Sequence, residues 1–260
     1  MQTHAVLGSG VTSHLDLVVG GLPLRLRSEN SELLSVASRR YDGFTAAGRT
    51  RFSIQVDAHD SPQECANEFL CDFEGARVVA DSSSAHFSGV RHEYALDSLL
   101  RMLLSWALLP DVGFLLHAAT VLRNGKGYIF FGRSGTGKST IAALSPLGSV
   151  LTDEISLLKR IDGQWHAFGT PFWGEFRAGG ANRCAPLAGM YKLSQSADDR
   201  IEPLRPAELL KALLPCVLFF SARTADHERL LEILTTVSRE VAGYTLQFRK
   251  AQTFWEVISS

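Results

Sequence analysis

The chain has 260 residues, with 26 Lys and Arg against 27 Asp and Glu, a net charge of −1 and 45% hydrophobic residues. This is ordinary globular composition, long enough for a large core or two units, and the near-neutral balance removes the case for nonspecific nucleic-acid binding. The N-terminus has no basic start or continuous apolar run and no apolar stretch reaches membrane length, so the expectation is a cytoplasmic protein that contacts no membrane.

The four cysteines (Cys65, Cys71, Cys184 and Cys216) form no CxxC pair and are expected to pack as small apolar residues in a reducing compartment. Residues 1–92 read as a β-rich unit with one helix. Leu15 to Val19 and Leu22 to Leu26 are strand candidates around a Gly20-Gly21 turn, and Leu24-Arg25-Leu26-Arg27 alternates as a half-exposed strand does. Ser31 to Tyr41 reads as a helix capped by Asn30 or Ser31, with Leu33, Leu34 and Ala37 inward. Phe52 to Val56, Ala76 to Ala80 and His86 to Val90 read as further strands, with Asp81 to Ser84 as a turn. The histidines of this region (His4, His14, His59, His86 and His92) have no metal-ligand spacing.

Tyr94 to Leu109 is the clearest helix. Asp97, Ser98, Arg101 and Ser105 form one narrow polar stripe on an otherwise apolar surface, so the helix is expected to be mostly buried, with Pro110 stopping it. A second unit, 93–260, starts with it. Phe114 to Val121 is an apolar strand that carries one odd residue, His117. Asn124-Gly125 signals a hairpin, and Gly127 to Phe131 returns.

That return strand runs straight into Gly132-Arg133-Ser134-Gly135-Thr136-Gly137-Lys138-Ser139-Thr140, which fits G-x-x-x-x-G-K-[ST]. Strand, glycine loop and helix start are the context in which this pattern binds phosphate. Glycines let backbone N–H groups converge on oxygens, and the new helix points its positive end at them. Lys138 would reach the β- and γ-phosphates and Ser139 would face Mg²⁺. Two antiparallel strands leading into the loop differ from the parallel entry of common P-loop NTPases.

Ser149 to Thr152 is a short strand ending in Asp153-Glu154, and Ile155 to Lys159 continues extended. An acidic pair bracketed by apolar strand residues suits a metal or base role better than a surface turn. Arg160 to Gly163 reads as a hairpin turn and Trp165 to Phe168 as its return. The stretch Gly169 to Gly174, followed by Glu175-Phe176-Arg177, reads as a substrate or metal loop, or else a plain surface loop. Ala188 to Leu193 is a strand candidate. Ala207 to Leu214 is a helix with Pro206 in its first turn. Cys216 to Phe220 is too short to classify. Thr224 to Val241 is an amphipathic helix with Leu230, Leu231, Leu234, Val237 and Val241 inward, Thr224 as cap and Gly243 as stop. Tyr244 to Phe248 alternates as a strand, and Phe254 to Ile258 closes the chain as a helix.

Residues 113–180 resemble the catalytic domain of HPr kinase/phosphorylase, which is related to the nucleotide core of phosphoenolpyruvate carboxykinase. Four features come in the same order: Leu116-His117-Ala118, the loop Gly132 to Thr140, the pair Asp153-Glu154 where that family usually has two aspartates, and Glu175-Phe176-Arg177-Ala178 where it has Glu-x-Arg-Gly. A closer likeness is to small HPr-kinase-related proteins of peptide-modification clusters, including kinases of lasso-peptide precursors. It is carried by Gly20-Gly21, Leu116 to Ala119, Gly169 to Phe172, Leu204 to Leu210 and Tyr244 to Phe248. The resemblance implies an α/β (α+β) fold, a P-loop nucleotide core with a smaller β-rich N-terminal domain. It also implies transfer of the γ-phosphoryl group of ATP, or another nucleoside triphosphate, to a Ser or Thr hydroxyl of a peptide or protein, with Mg²⁺ as cofactor. On this reading Asp153 is the general base, His117 assists or orients it, Arg177 stabilises phosphate charge or binds the acceptor, and Ser139, Glu154 and Glu175 hold the metal. The base and metal roles of positions 153 and 154 stay interchangeable, and a neutral buried His117 stays open. A homo-oligomer is implied by the same likeness. An ATPase switch and a small-molecule kinase are the alternative functions. The altered signature at Ala178 argues against HPr itself as acceptor.

Overall fold

Alternation of apolar and polar residues builds the N-terminal sheet, and runs of apolar residues build the larger one. In the computed structural model, residues 13–48, 50–59, 77–80, 84–90, 93–146, 148–172, 174 and 180–259 are described. Strands β1 (Ser13–Val19) and β2 (Leu22–Ser28) pair antiparallel across the Gly20-Gly21 turn. Helix α1 (Ser31–Arg40) follows, and the Asn30 side chain caps it by accepting from Leu33 N at 3.1 Å. Leu33, Leu34 and Ala37 face the core, as their spacing requires. Strands β3 (Phe52–His59), β4 (Arg77–Ala80) and β5 (Ser84–Val90) complete a five-stranded sheet of order β1-β2-β3-β5-β4. The expected turn at Asp81 to Ser84 falls largely outside the described residues, and Ser84 already belongs to β5.

Helix α2 (Glu93–Ala107) ends before Pro110, with Leu108 and Leu109 in the following turn. Its stripe is buried: Asp97, Ser98 and Ser105 are all below a tenth exposed. Strand β6 (Gly113–Arg123) is the centre of the second sheet. Strand β7 (Lys126–Phe131) returns antiparallel beside it, and helix α3 (Lys138–Leu144) follows the glycine loop. Strands β8 (Val150–Thr152), β9 (Ile155–Ile161) and β10 (Gln164–Phe168) come next. Strand β11 (Cys184–Gln195) begins at Cys184 rather than Ala188, because its first residues pair with β10 while the rest run parallel to β7. Strand β12 (Arg200–Leu204), helix α4 (Pro206–Leu213), the two-residue strand β13 (Val217–Leu218), helix α5 (Thr224–Glu240), strand β14 (Gly243–Phe248) and helix α6 (Phe254–Ser259) complete the chain. The main path of the sheet is β10-β9-β6-β7-β11-β14-β12, and β8 and β13 pair with β6. The described residues thus form a mixed α/β protein.

Three details of the last third differ from expectation. Thr224 is the first residue of α5, not its cap, and Arg223 holds the cap position without capping the helix through its side chain. The helix ends at Glu240, and Gly243 instead opens β14, where the Leu209 side chain occupies the space a Cβ would need. Leu231 is 49% exposed, since Leu230, Ile233, Leu234 and Val237 already fill the inward face and Leu231 lies well round the helix from Ile233 and Val237.

One core cluster runs without a break from Leu17, Leu24 and Ile54 of the N-terminal sheet, through Leu99, Leu100 and Leu103 of α2, to Leu115 and Leu157 of the larger sheet and Phe172 just beyond β10. Lys159 adds a bond from its Nζ to Gly20 O at 2.8 Å.

Candidate functional site

The site begins with an interruption beside β6. Strands β8 and β9 both pair with the same side of β6, and Asp153 and Glu154 occupy the gap between them. Ala118 N donates to Glu154 O at 3.0 Å, which holds the acidic pair against the middle of β6. Beneath it, the Thr120 and Ser156 hydroxyls lie 2.6 Å apart, and Ser156 Oγ donates to Ala118 O at 2.9 Å. These buried polar groups satisfy one another where the ladder is broken. His117 sits on β6 opposite Ile155, at the same level as the acidic pair.

On the other side of β6, β7 delivers the chain to the glycine loop. Gly135 and Gly137 have φ of +79° and +109°, and α3 starts at the next residue, Lys138. A Cβ on Gly137 would come within 2.5 Å of the Phe248 ring, so the loop packs directly on the end of β14. Lys138 is 7% exposed, and its Nζ donates to Gly132 O at 2.9 Å and Arg133 O at 3.2 Å, curling back over its own loop. Thr136 Oγ1 donates to Arg133 O at 2.8 Å, and Gln195 Nε2 donates to Gly135 O at 2.8 Å.

The two halves meet in a cleft of about 400 Å³. His117, Asp153, Glu154 and Gly174 line one wall and Gln195 and Lys250 also border it. Ser134, Gly135, Gly137, Lys138, Ser139 and Thr140 supply the loop side. The cleft therefore gathers most of the residues expected from the sequence. Gly132, Arg133 and Thr136 do not line it and instead shape the loop through the bonds above. A cavity of about 590 Å³ near Leu144 and Trp255 is larger but carries none of these groups. Glu175 and Arg177 lie outside the described residues. The arms that carry their segment are fixed: Gly169 and Gly180 each abut the opposite arm at Ala181 O and Thr170 O, where no side chain fits. Thr170 Oγ1 donates to Ile155 O at 2.6 Å, and Asp153 Oδ1 accepts from Gly174 N at 3.0 Å, so the base of the loop is docked on the acidic pair.

Electrostatics follow from this burial. The imidazole of His117 is held at about 4, first by burial and then by the charges of Lys138 and Arg101, so it is neutral at physiological pH. Burial also lowers the Lys138 amine and raises the Glu154 carboxyl, with Arg101 opposing the latter and Asp153 adding to it. Arg101, from the polar stripe of α2, was not expected here: its Nη2 lies 3.2 Å from Glu154 Oε2. Gln195 and Lys250 were likewise unforeseen. The odd polar stripe was the only signal for Arg101, and isolated polar residues at strand ends gave none for the others. Of the cysteines, Cys216 is buried as expected, whereas Cys184 is exposed and Cys65 and Cys71 lie outside the described residues.

Among the described residues, no cluster of three or more His, Cys, Asp or Glu side chains could hold a metal by itself. No helix of the described residues is long and apolar enough to cross a membrane. No curated protein matches the chain. Among solved structures, the HPr(Ser) kinase/phosphatase from Coxiella burnetii aligns at 11% identity with a TM-score of 0.26, over 48% of this chain and 90% of that one. A score that low decides nothing about this chain. A family model does match, over residues 98–260, more than half of the sequence and all of the cleft residues named above: the chain belongs to the family described as SynChlorMet cassette protein ScmC.

Proposed function

We propose that the chain is an ATP-dependent kinase of the HPr-kinase type that transfers the γ-phosphoryl group to a Ser or Thr hydroxyl of a peptide or protein. One observation carries this: the lysine of a G-x-x-x-x-G-K-S loop and a strand-interrupting acidic pair line the same cleft. Phosphoryl transfer needs mainly positioning and charge neutralisation, and those are the two things this cleft can supply. Gly135 and Gly137, in the left-handed region, let loop amides turn toward an anion. Lys138, whose Nζ rests on two loop carbonyls, is the group to transfer onto β- and γ-phosphate oxygens.

ATP with Mg²⁺ would supply the phosphoryl group and a cation to offset its charge. The donor set fits Mg²⁺, which keeps waters and needs only one or two carboxylates beside phosphate oxygens. Ser139 and Glu154, which line the cleft, are the described residues proposed to hold it, and Glu175 is assigned to it by its place in the signature. Asp153 is 4% exposed and fixed by the Gly174 amide, which suits it to accept the proton of an acceptor hydroxyl within hydrogen-bond reach. His117 is neutral at physiological pH and is assigned to assist or orient Asp153 by its place in the resemblance. Arg177 is assigned to the transferred phosphate or the acceptor by sequence position alone. The N-terminal unit, 1–92, is the proposed place of peptide recognition, with 93–260 as the catalytic unit.

The test is incubation of the purified chain with ATP, Mg²⁺ and short peptides encoded beside its gene, read by mass spectrometry for one added phosphate. Asp153→Asn is expected to lower transfer by about 10²–10⁴-fold while leaving nucleotide binding in place, since shape is nearly kept. Transfer at the wild-type rate removes Asp153 as base. ATP turnover that no peptide or small acceptor changes would identify an ATPase switch instead.

A further inference from the structure

Helix α2 brings two charged side chains, one turn apart, to opposite ends of a single chain of contacts. Asp97 pairs with Arg40 of α1, and Arg101 reaches Glu154 in the cleft. The surroundings of Arg101 do not use it up. Its Nη2 contact with Glu154 Oε2 is 3.2 Å long, its guanidinium carbon lies 5.1 Å from the centre of the Phe172 ring, and its Nε is sealed from solvent with no hydrogen-bond partner among the described residues. A guanidinium offers five N–H donors in a planar fork that matches carboxylate and phosphate geometry. A long bond to one carboxylate oxygen and a sealed, unmet Nε make a poor resting place for such a group. The stacking on Phe172 holds the guanidinium plane at the start of the loop that docks on Asp153, and its charge is felt by His117, which lines the cleft.

We propose that Arg101 reads the γ-phosphate: its guanidinium leaves Glu154 for the γ-phosphate oxygens of a nucleoside triphosphate, and the carboxylate it leaves becomes available to the accompanying divalent cation. The exchange is balanced. One arginine–carboxylate contact is given up, one arginine–phosphate contact forms, and no charge is left without a partner on the acidic wall. A diphosphate has no γ-oxygens to take the guanidinium, so with it the Arg101–Glu154 pair stays closed. This makes Arg101 a specificity residue for triphosphate over diphosphate, and it rests on the kinase reading above.

Calorimetric titration of the wild-type chain and of Arg101→Gln with a non-hydrolysable ATP analogue and with ADP, both in Mg²⁺, tests it. The expected result for Arg101→Gln is a loss of roughly tenfold or more in affinity for the triphosphate analogue with ADP affinity unchanged. Equal losses for both nucleotides, or no loss for either, would overturn the proposal. If Arg101→Gln fails to fold, Arg101→Lys keeps the charge and stem but loses the fork, and a loss confined to the triphosphate is again required. Lys138→Ala is the control, expected to weaken both nucleotides together. A wild-type chain that takes neither nucleotide overturns the kinase reading itself, a result distinct from binding both without discrimination.

Discussion

His117 shows how much one side chain on β6 is decided by its setting. Its imidazole titrates at about 4 rather than 6.5, because burial and the charges of Lys138 and Arg101 all disfavour the protonated ring. As pH falls, the unfolded chain takes up this proton before the folded one does. Folded stability is therefore expected to decline from about pH 6.5 down to about pH 4 on account of this residue and to lose nothing further below that. Since the ring is partly open to the cleft, the contribution is on the order of 1–2 kcal/mol. Denaturant unfolding of wild type and His117→Gln at a series of pH values checks this: the variant curve should be flatter through that window. Identical slopes would mean that the folded ring takes up its proton over the same pH range as in the unfolded chain, and would return it to the list of groups able to donate a proton near neutral pH.

At the scale of elements, the glycine loop is a junction of two strands and a helix and not a freestanding turn. β7 delivers it, α3 carries it away, and the end of β14 supports it through Phe248, whose ring takes the space of a Gly137 Cβ. Gly137→Ala sets a side chain at φ of +109° as well as against that ring. A cost of about 1–3 kcal/mol is expected, with a lower melting temperature and weaker triphosphate binding together. Unchanged binding would show that the loop tolerates another backbone path. Much of this was legible beforehand. Leu24 to Arg27 alternates because one face of β2 is buried and the other is not, Asn30 shows itself as a cap, and the loop pattern stands between an apolar strand and a helix start. Strand β12 was not legible, because Arg200-Ile201-Glu202-Pro203-Leu204 lies at the sheet edge, mostly exposed, and is defined only by its pairing with β14. The 12-residue length of β11 was obscured for a related reason, since its two halves serve different neighbours. Arg101 was visible as a polar residue in an apolar helix, but its partner Glu154 is far along the chain, and no periodicity reports such a contact.

At the scale of the molecule, α2 is the element through which the N-terminal sheet and the acidic wall support each other. Asp97 is 4% exposed, is gripped by the Arg40 guanidinium through both of its oxygens and also accepts from Tyr41 Oη at 3.2 Å. Burial and this carboxylate push the Tyr41 phenol well above its ordinary value, so it stays protonated as the donor. Asp97→Ala would take from Arg40, whose side chain is only 8% exposed, the carboxylate that grips its guanidinium. Breaking such a pair from one side costs about 3–5 kcal/mol. Because the hydrophobic cluster runs from β1 through α2 to Phe172 without interruption, that loss should be felt by both sheets at once. Denaturant unfolding should show one transition, shifted to lower concentration with unchanged slope, whether followed by tryptophan fluorescence or by far-ultraviolet circular dichroism. Arg40→Met with Asp97→Leu should recover much of the stability, since the pair is replaced by apolar groups of similar reach. Two separate transitions in Asp97→Ala would instead mean that α2 belongs to one sheet alone, and that the acidic wall keeps its geometry without help from the N-terminal unit.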